Sequence, residues 1–291
     1  MLSRKTCATI NCSFHKEARY GAKLQVQSVT MTRSISVRDG LVGQGREPLV
    51  CTPLVGRTHA AILAELRSIA GKAPDLIEWR ADFFSDLADC DAVLRIAQEL
   101  RAGAAGIPVI FTIRSAAEGG EAIAISDQQV SAIQQTLCVA SAVELIDLEM
   151  GANPKHLELL RTAAKTSDTQ LILSYHNFRE TPDAAAIYAK FALAQELGAA
   201  IAKVAVMPKT PEDVLTLLSA TYKAHLALHI PLISISMGDY GVLTRLFGWV
   251  FGSAVTFAVG EANSAPGQVP IEELRATLQI LKRALAKKSH Q

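Results

Sequence analysis

The chain is short of most things that mark a secreted scaffold, a metalloprotein or a membrane protein. Its 291 residues include only five cysteines. The number is odd, the spacing wide and no CxxC pair occurs, which argues against a disulfide framework and a structural zinc site and favours a reducing, cytoplasmic setting. The seven histidines are scattered, and neither HxH nor HExxH occurs, so no metal is expected. No apolar run approaches the ~18 uninterrupted residues of a spanning helix, so no membrane partner is expected. The mean hydropathy of +0.22 therefore points to a buried interior. GxGxxG and the P-loop are also missing, which removes the usual dinucleotide and nucleotide cradles. Net charge is nearly absent, with 29 basic residues against 28 acidic, and that excludes a polyelectrolyte-type nucleic-acid binder.

The balance conceals an uneven distribution. Residues 1–30 hold Arg4, Lys5, Lys16, Arg19 and Lys23 against Glu17 alone. This basic leader also contains Cys7 and Cys12 and lacks the apolar stretch of a secretory signal. It reads as a disordered tail ahead of a start at Met31, or as an organelle transit peptide. Residues 31–291 read as one catalytic domain.

From residue 48 onward one unit repeats: a short run of apolar and β-branched residues, a loop, then a segment with helical periodicity. The runs fall at 48–56, 75–82, 108–114, 143–149, 170–176, 199–207, 231–237 and 254–260. Helical segments separate them, VLTRLFGWVFG follows the seventh run, and IEELRATLQILKRALAKK closes the chain. Pro154, Pro211 and Pro270 stand near helix starts, where a missing N–H costs little. Eight strand–helix units over this length predict an α/β fold, a (β/α)8 TIM barrel. A doubly wound sheet is the competing architecture and lacks its glycine-rich first turn here. Residues 33–47 alternate around Asp39-Gly40 and predict an N-terminal β-hairpin closing the bottom of the barrel.

The chemistry concentrates at strand ends. Lys203 lies mid-strand in AAIAKVAVMP. Burial among apolar neighbours favours a neutral amine, the form that attacks a ketone or aldehyde. SYH ends the fifth strand, with Ser174 and His176 on one face, and His176 suits general acid–base work at the barrel mouth. Glu78, Arg80 and Asp82 share one face of the second strand, and Ile77, Trp79 and Ala81 the other. Asp147 and Glu149 share a face at the end of the fourth. Arg80, Arg114 and Arg245 are candidate forks for a carboxylate. Ser264 and Gln268, in SAPGQ after the eighth strand, present a hydroxyl and an amide to a polyol-like ligand. Cys51, Cys90 and Cys138 read as small core residues.

Taken in order, EWRAD, FTIRSAAEGG, SYHNF, KVAVMP, MGDYGVLTR and SAPGQ make the chain resemble the type I 3-dehydroquinate dehydratases across about residues 33–285. The resemblance implies a metal-free and cofactor-free (β/α)8 homodimer that dehydrates 3-dehydroquinate to 3-dehydroshikimate, in the shikimate pathway, through an imine. It implies Lys203 as the Schiff-base lysine, His176 as proton donor and acceptor, and Glu118 as the carboxylate that orients His176. Glu78, Trp79, Arg80, Arg114, Arg245, Ser264 and Gln268 correspond to the substrate-binding set. Met237 and Phe257 correspond to apolar pocket residues. One position departs: Pro53 stands where members often carry serine, so that contact is absent or moves to Thr52. Two other readings compete: a class I aldolase-like Schiff-base barrel, expected to carry phosphate-binding loops, and a non-catalytic ligand-sensing barrel, expected to have lost Lys203 or His176.

Overall fold

The computed structural model describes residues 34–43, 47–262 and 264–286. The expected leader, residues 1–30, lies outside them. Ten strands are present: β1 (Ile35–Val37), β2 (Gly40–Val42), β3 (Leu49–Leu54), β4 (Leu76–Arg80), β5 (Val109–Thr112), β6 (Leu145–Glu149), β7 (Gln170–Asn177), β8 (Ile201–Val206), β9 (Leu232–Ser236) and β10 (Val255–Phe257). Eight of them form one parallel sheet in the order β10-β3-β4-β5-β6-β7-β8-β9. A parallel bridge between Leu232 and Ser253 joins the two ends, with Ala254 N–H donating to Leu232 O at 2.7 Å. The sheet is thus a nearly closed barrel. All eight strand runs predicted above are present in register.

The return helices are α1 (His59–Ala70), α2 (Cys90–Gly103), α3 (Asp127–Val139), α4 (Pro154–Ala164), α5 (Ala184–Glu196), α6 (Pro211–Ala227), α7 (Val242–Phe247) and α8 (Ile271–Ala286). Local chemistry starts most of them. Thr58, Asp89, Ser126, Asn153 and Asp183 each accept a first-turn N–H, a contribution of about 1 kcal/mol apiece. The segment read as one helix over 242–252 breaks after Phe247, and Gly248–Phe251 winds as a 3-10 turn.

Both faces of every barrel strand are covered, which is why the runs look almost continuously apolar. Ile77, Trp79, Phe111, Ile146, Leu173 and Val204 face outward into the helix layer, against Ile62, Ile96, Leu137, Phe191 and Leu217. Cys51, Leu76, Ile110, Leu145, Ile172, Ile201, Ile233 and Val255 face inward and form an apolar floor. Val37 and Val42 of the antiparallel β1–β2 hairpin pack beneath that floor, as expected of a bottom closure. The turn itself is Arg38-Asp39, with Arg38 at φ 52°, one residue earlier than the Asp-Gly signal suggests. Among the described residues no helix is long and apolar enough to cross a membrane.

Candidate active site

Above the apolar floor the inward positions turn polar, and the barrel ends in a cavity at the C-terminal rim. Glu78, Arg80, Arg114, Glu118, His176 and Lys203 line it, with Met237, Arg245, Phe257, Ser264 and Gln268 around the mouth.

Lys203 is inward-facing at the middle of β8 and 5% exposed. Its Nζ lies 2.8 Å from Asp147 Oδ2 and 3.3 Å from Glu78 Oε1, with the Phe257 ring centroid 4.9 Å away. The neutral amine expected from burial alone is overturned. Burial does push the Lys203 pKa down, but Asp147 and Glu78 outweigh it and raise the pKa above the ordinary lysine value. Asp147 answers in kind. Burial pushes its carboxyl up, while Arg114 and Lys203 hold it well below the usual carboxylate range. Lys203 therefore waits as an ammonium.

Arg114 is central to the same cluster. It reaches Asp147 at 2.8 Å and Glu149 at 3.2 Å, and donates to Ser174 Oγ at 2.9 Å. Ser174 in turn donates to Asp147 Oδ1 at 2.5 Å. Period-2 alternation puts Asp147 and Glu149 on one face of β6 and Ser174 inward on β7, and Arg114, just past the end of β5, reaches all three.

His176 stands one step above Ser174 on β7. Its Nδ1 is 2.8 Å from Glu118 Oε2, and its backbone N–H donates to the same oxygen at 3.1 Å. Burial, with the nearby charges of Arg114 and Lys203, pushes the imidazole pKa well below the usual histidine value. The ring is neutral and can accept a proton. Burial and the Glu149 charge raise Glu118 to about 7. The loop that carries Glu118 depends on its two glycines. A Cβ on Gly119 (φ +82°) would strike the Phe178 ring, and one on Gly120 would strike Arg114 O.

Three features complete the rim, from β4, the loop after β10 and α7. Arg80 is clamped by Asp82 through Nε and Nη2 at 2.8 and 2.7 Å, and its Nη1 donates to Ser264 O at 3.2 Å. Ser264 N–H donates to Gln268 Oε1 at 3.0 Å, and Gln268 Nε2 donates to Ser264 Oγ at 3.2 Å. Arg245, on α7 and 2% exposed, donates only to carbonyls: Gly267 O, Phe257 O and Pro266 O at 2.8, 3.3 and 3.1 Å. Burial with no facing carboxylate lowers its pKa to about 10. A buried cation without a protein carboxylate has the chemistry to accept an anion.

Trp79 does not join the site. It is fully buried on the opposite face of β4, edge-on to Phe84 and Phe111 with centroids at 6.2 and 5.3 Å. Period-2 alternation sends its neighbours inward and Trp79 outward, so its side chain cannot touch a ligand in the cavity. Thr52 likewise faces outward, its methyl beside Gly260, and does not replace a missing serine contact. Neither Thr52 nor Pro53 lines the cavity. Conversely, Asp147, Glu149 and Ser174 belong to the cluster although they were not assigned roles. The signal was present in the shared face of Asp147 and Glu149, but nothing local says which cations they meet. Among the described residues no group of three or more His, Cys, Asp or Glu is placed to hold a metal ion.

Comparison with known proteins agrees with this geometry. The profile of the type I 3-dehydroquinase family matches residues 50–284. A 3-dehydroquinate dehydratase of Aromatoleum aromaticum is 52% identical over 257 residues, covering 88% of this chain and 99% of its own. One of Albidiferax ferrireducens is 52% identical over 84% of this chain and 92% of its own. The crystal structure of 3-dehydroquinate dehydratase from Geobacillus kaustophilus superposes with a TM-score of 0.84 at 44% identity, covering 87% of this chain and 98% of that one. The chain belongs to the type I 3-dehydroquinase family.

Proposed function

We propose that this chain is a hydro-lyase that dehydrates 3-dehydroquinate to 3-dehydroshikimate in the shikimate pathway, through an imine on Lys203. The observation that carries the assignment of residues is the buried Lys203 amine facing the same closed cup as the His176–Glu118 pair. Arg245 binds the substrate carboxylate and fixes which ring face meets His176. Glu78, Arg80, Arg114, Ser264 and Gln268 surround the ring hydroxyls, and Met237 and Phe257 cover the apolar edge.

The ammonium state of Lys203 fits this chemistry. An ammonium and a ketone together yield a protonated imine and one water, so no net proton leaves the site. The attacking free amine forms as neighbouring groups transiently take the proton, which ends on the departing water. Asp147 and Glu78 then face the iminium charge that replaces the ammonium. The iminium acidifies the adjacent C–H, and neutral His176 removes that proton to give an enamine. His176 returns the proton to the β-hydroxyl, which leaves as water. Hydrolysis of the conjugated imine consumes one water and restores the Lys203 ammonium. Glu118 holds the Nδ1 side of His176, leaving Nε2 for the substrate.

Borohydride reduction in the presence of 3-dehydroquinate tests this directly. We expect one adduct, located on Lys203 by peptide mass, and none in Lys203→Ala. An adduct that persists in Lys203→Ala refutes the assignment. Turnover is read from the absorbance of the conjugated enone.

We further propose a cytoplasmic homodimer whose working domain is residues 31–291. α6, α7 and the 3-10 turn after α7 leave Leu215, Tyr222, Leu243, Phe247 and Val250 exposed. A second copy related by a two-fold axis would cover these residues with the same set. Light scattering of the wild type and of Phe247→Glu tests the dimer: a wild-type monomer, or a variant that still dimerises, rules out this face. A chain begun at Met31 is expected to keep full activity.

A further inference from the structure

We propose that Asp82 is a positioning residue that sets Arg80 and the loop carrying Glu118 as one unit. This rests on the site assignment above and adds a residue that touches neither substrate nor His176.

β4 ends at Arg80, and the chain turns at once into a 3-10 segment, Ala81–Phe83. That turn folds the Asp82 carboxylate back under the rim, where its side chain is wholly buried. Each oxygen accepts two N–H groups. Oδ1 takes Arg80 Nε at 2.8 Å and Arg114 N at 3.3 Å. Oδ2 takes Arg80 Nη2 at 2.7 Å and Glu121 N at 3.1 Å. An ionised carboxylate has about four acceptor positions, so none remains for a ligand. Asp82 is therefore saturated by the protein and can act only through its partners.

Those partners fall on two arms. The first is Arg80, whose guanidinium is held by Asp82, by Ser264 O and by the Phe83 ring 5.1 Å away. What remains of its donor fork points into the cavity. The second arm is the loop between Arg114 and Glu121, whose two end N–H groups are both fixed to Asp82. Inside that loop Gly120 N–H donates to Ser115 O at 2.8 Å, Glu118 N–H donates to Ser115 Oγ at 3.3 Å, and Glu118 reaches His176. One carboxylate thus ties a substrate-facing cation to the group that orients the base. Small displacements at such a joint are costly, since about 1 Å at a reacting group is worth about 100-fold in rate.

The two arms predict two signatures in Asp82→Asn. The substitution is nearly isosteric, but its amide presents N–H groups where four donors already converge. Through Arg80, KM rises, and kcat/KM falls about 100-fold. Through the loop, the kcat/KM limb expected near pH 7 from the raised Glu118 carboxyl is displaced. In an Arg80→Ala background, Asp82→Asn adds less than about 3-fold to KM, because that arm is already lost, yet still displaces the limb. Borohydride trapping on Lys203 at saturating 3-dehydroquinate persists throughout. If trapping fails in the wild type, the imine assignment fails instead, so the two ideas are separable. Asp82→Ala, which opens a carboxylate-sized gap, regains KM and the pH limb when formate is added. Circular dichroism confirms that each variant is folded, and the formate experiment stands if Asp82→Asn does not fold. The proposal is overturned by wild-type KM and pH limb in folded Asp82→Asn, by fully additive losses in the double variant, or by formate without effect on Asp82→Ala.

Discussion

β6 separates two charge clusters, each built around a buried carboxylate. Just before the strand, Glu144 accepts from Arg101 Nε at 2.7 Å and Val109 N at 2.8 Å, and Arg38 Nε lies 3.1 Å away. Arg38 spends its other N–H groups on Ile107 O and Arg101 O, each at 3.1 Å, which ties the hairpin to the barrel. On the strand itself, Asp147 and Glu149 meet Lys203 and Arg114. In the lower cluster the Glu144 carboxylate is taken up by protein donors, and Arg38 and Arg101 edge only an open surface pocket. The upper one borders the cavity that Lys203, His176 and the carboxylate-free Arg245 line. Carboxylates and arginines become structural or functional according to whether the protein itself completes their bonding.

Breaking the upper cluster should remove chemistry and leave the fold, and the largest effect belongs to Lys203→Ala. Loss of the covalent route lowers kcat by about 10,000-fold or more, while the melting temperature stays close to that of the wild type. A folded variant with substantial turnover would contradict the imine route. Next comes Glu144→Ala below, where two arginines lose their buried partner. Denaturant unfolding should show a loss of about 3 kcal/mol, moderated because both arginine heads reach solvent, with kcat unchanged for the molecules that remain folded. A fall in kcat there would mean that the two ends are not independent. Arg245→Ala follows. Removing a charged anion receptor should raise KM for 3-dehydroquinate by about 100-fold, with the Lys203 adduct still trappable.

The smallest expected effect sharpens the electrostatic side of the comparison. Glu118 is raised to about 7, and its anion accepts the Nδ1 proton of His176, so kcat/KM should climb as pH rises through about 7. Glu118→Gln should flatten that limb and cost about 10-fold in turnover. A limb unchanged in the variant would assign it elsewhere. The sign for stability is opposite. A carboxyl with a raised folded pKa binds its proton more tightly when folded, so its contribution is complete below its unfolded value and declines as pH rises toward about 7. Asp147 and His176, both shifted down, lose their contributions as pH falls. Melting curves of wild type and Glu118→Gln between pH 3 and 8 would separate these slopes, Asp147 acting at the acid end and Glu118 and His176 above it.

Most of the barrel was legible because its signals are local. Alternating runs, helix caps at Thr58, Asp89 and Ser126, and the prolines at helix starts need no distant partner to be read. The same is true of faces: alternation alone puts Glu78 and Arg80 inside and Trp79 outside, and only the motif resemblance drew Trp79 into the site. What could not be read is whatever closes over long sequence distances. The charge of Lys203 depends on Asp147, 56 residues away, and on Glu78, 125 away; without them burial predicts the wrong protonation state. Arg245 looked like one of three equivalent arginines. The structure separates them, because Arg80 and Arg114 carry protein carboxylates and Arg245 has only carbonyls.

The reverse side of β4 gives the protein an optical gauge. Only two tryptophans are present. Trp249 sits half-buried, donating to Leu246 O at 2.8 Å, while Trp79 is sealed in the dry layer between sheet and helices, backbone-adjacent to both Glu78 and Arg80. Its emission belongs at the blue end, and no molecule in the cavity can reach the indole to quench it. A change in that blue component on ligand binding therefore reports a movement of β4 or a changed field from the charges on its other face, and turns one outward-facing side chain into a sensor of the site it does not touch.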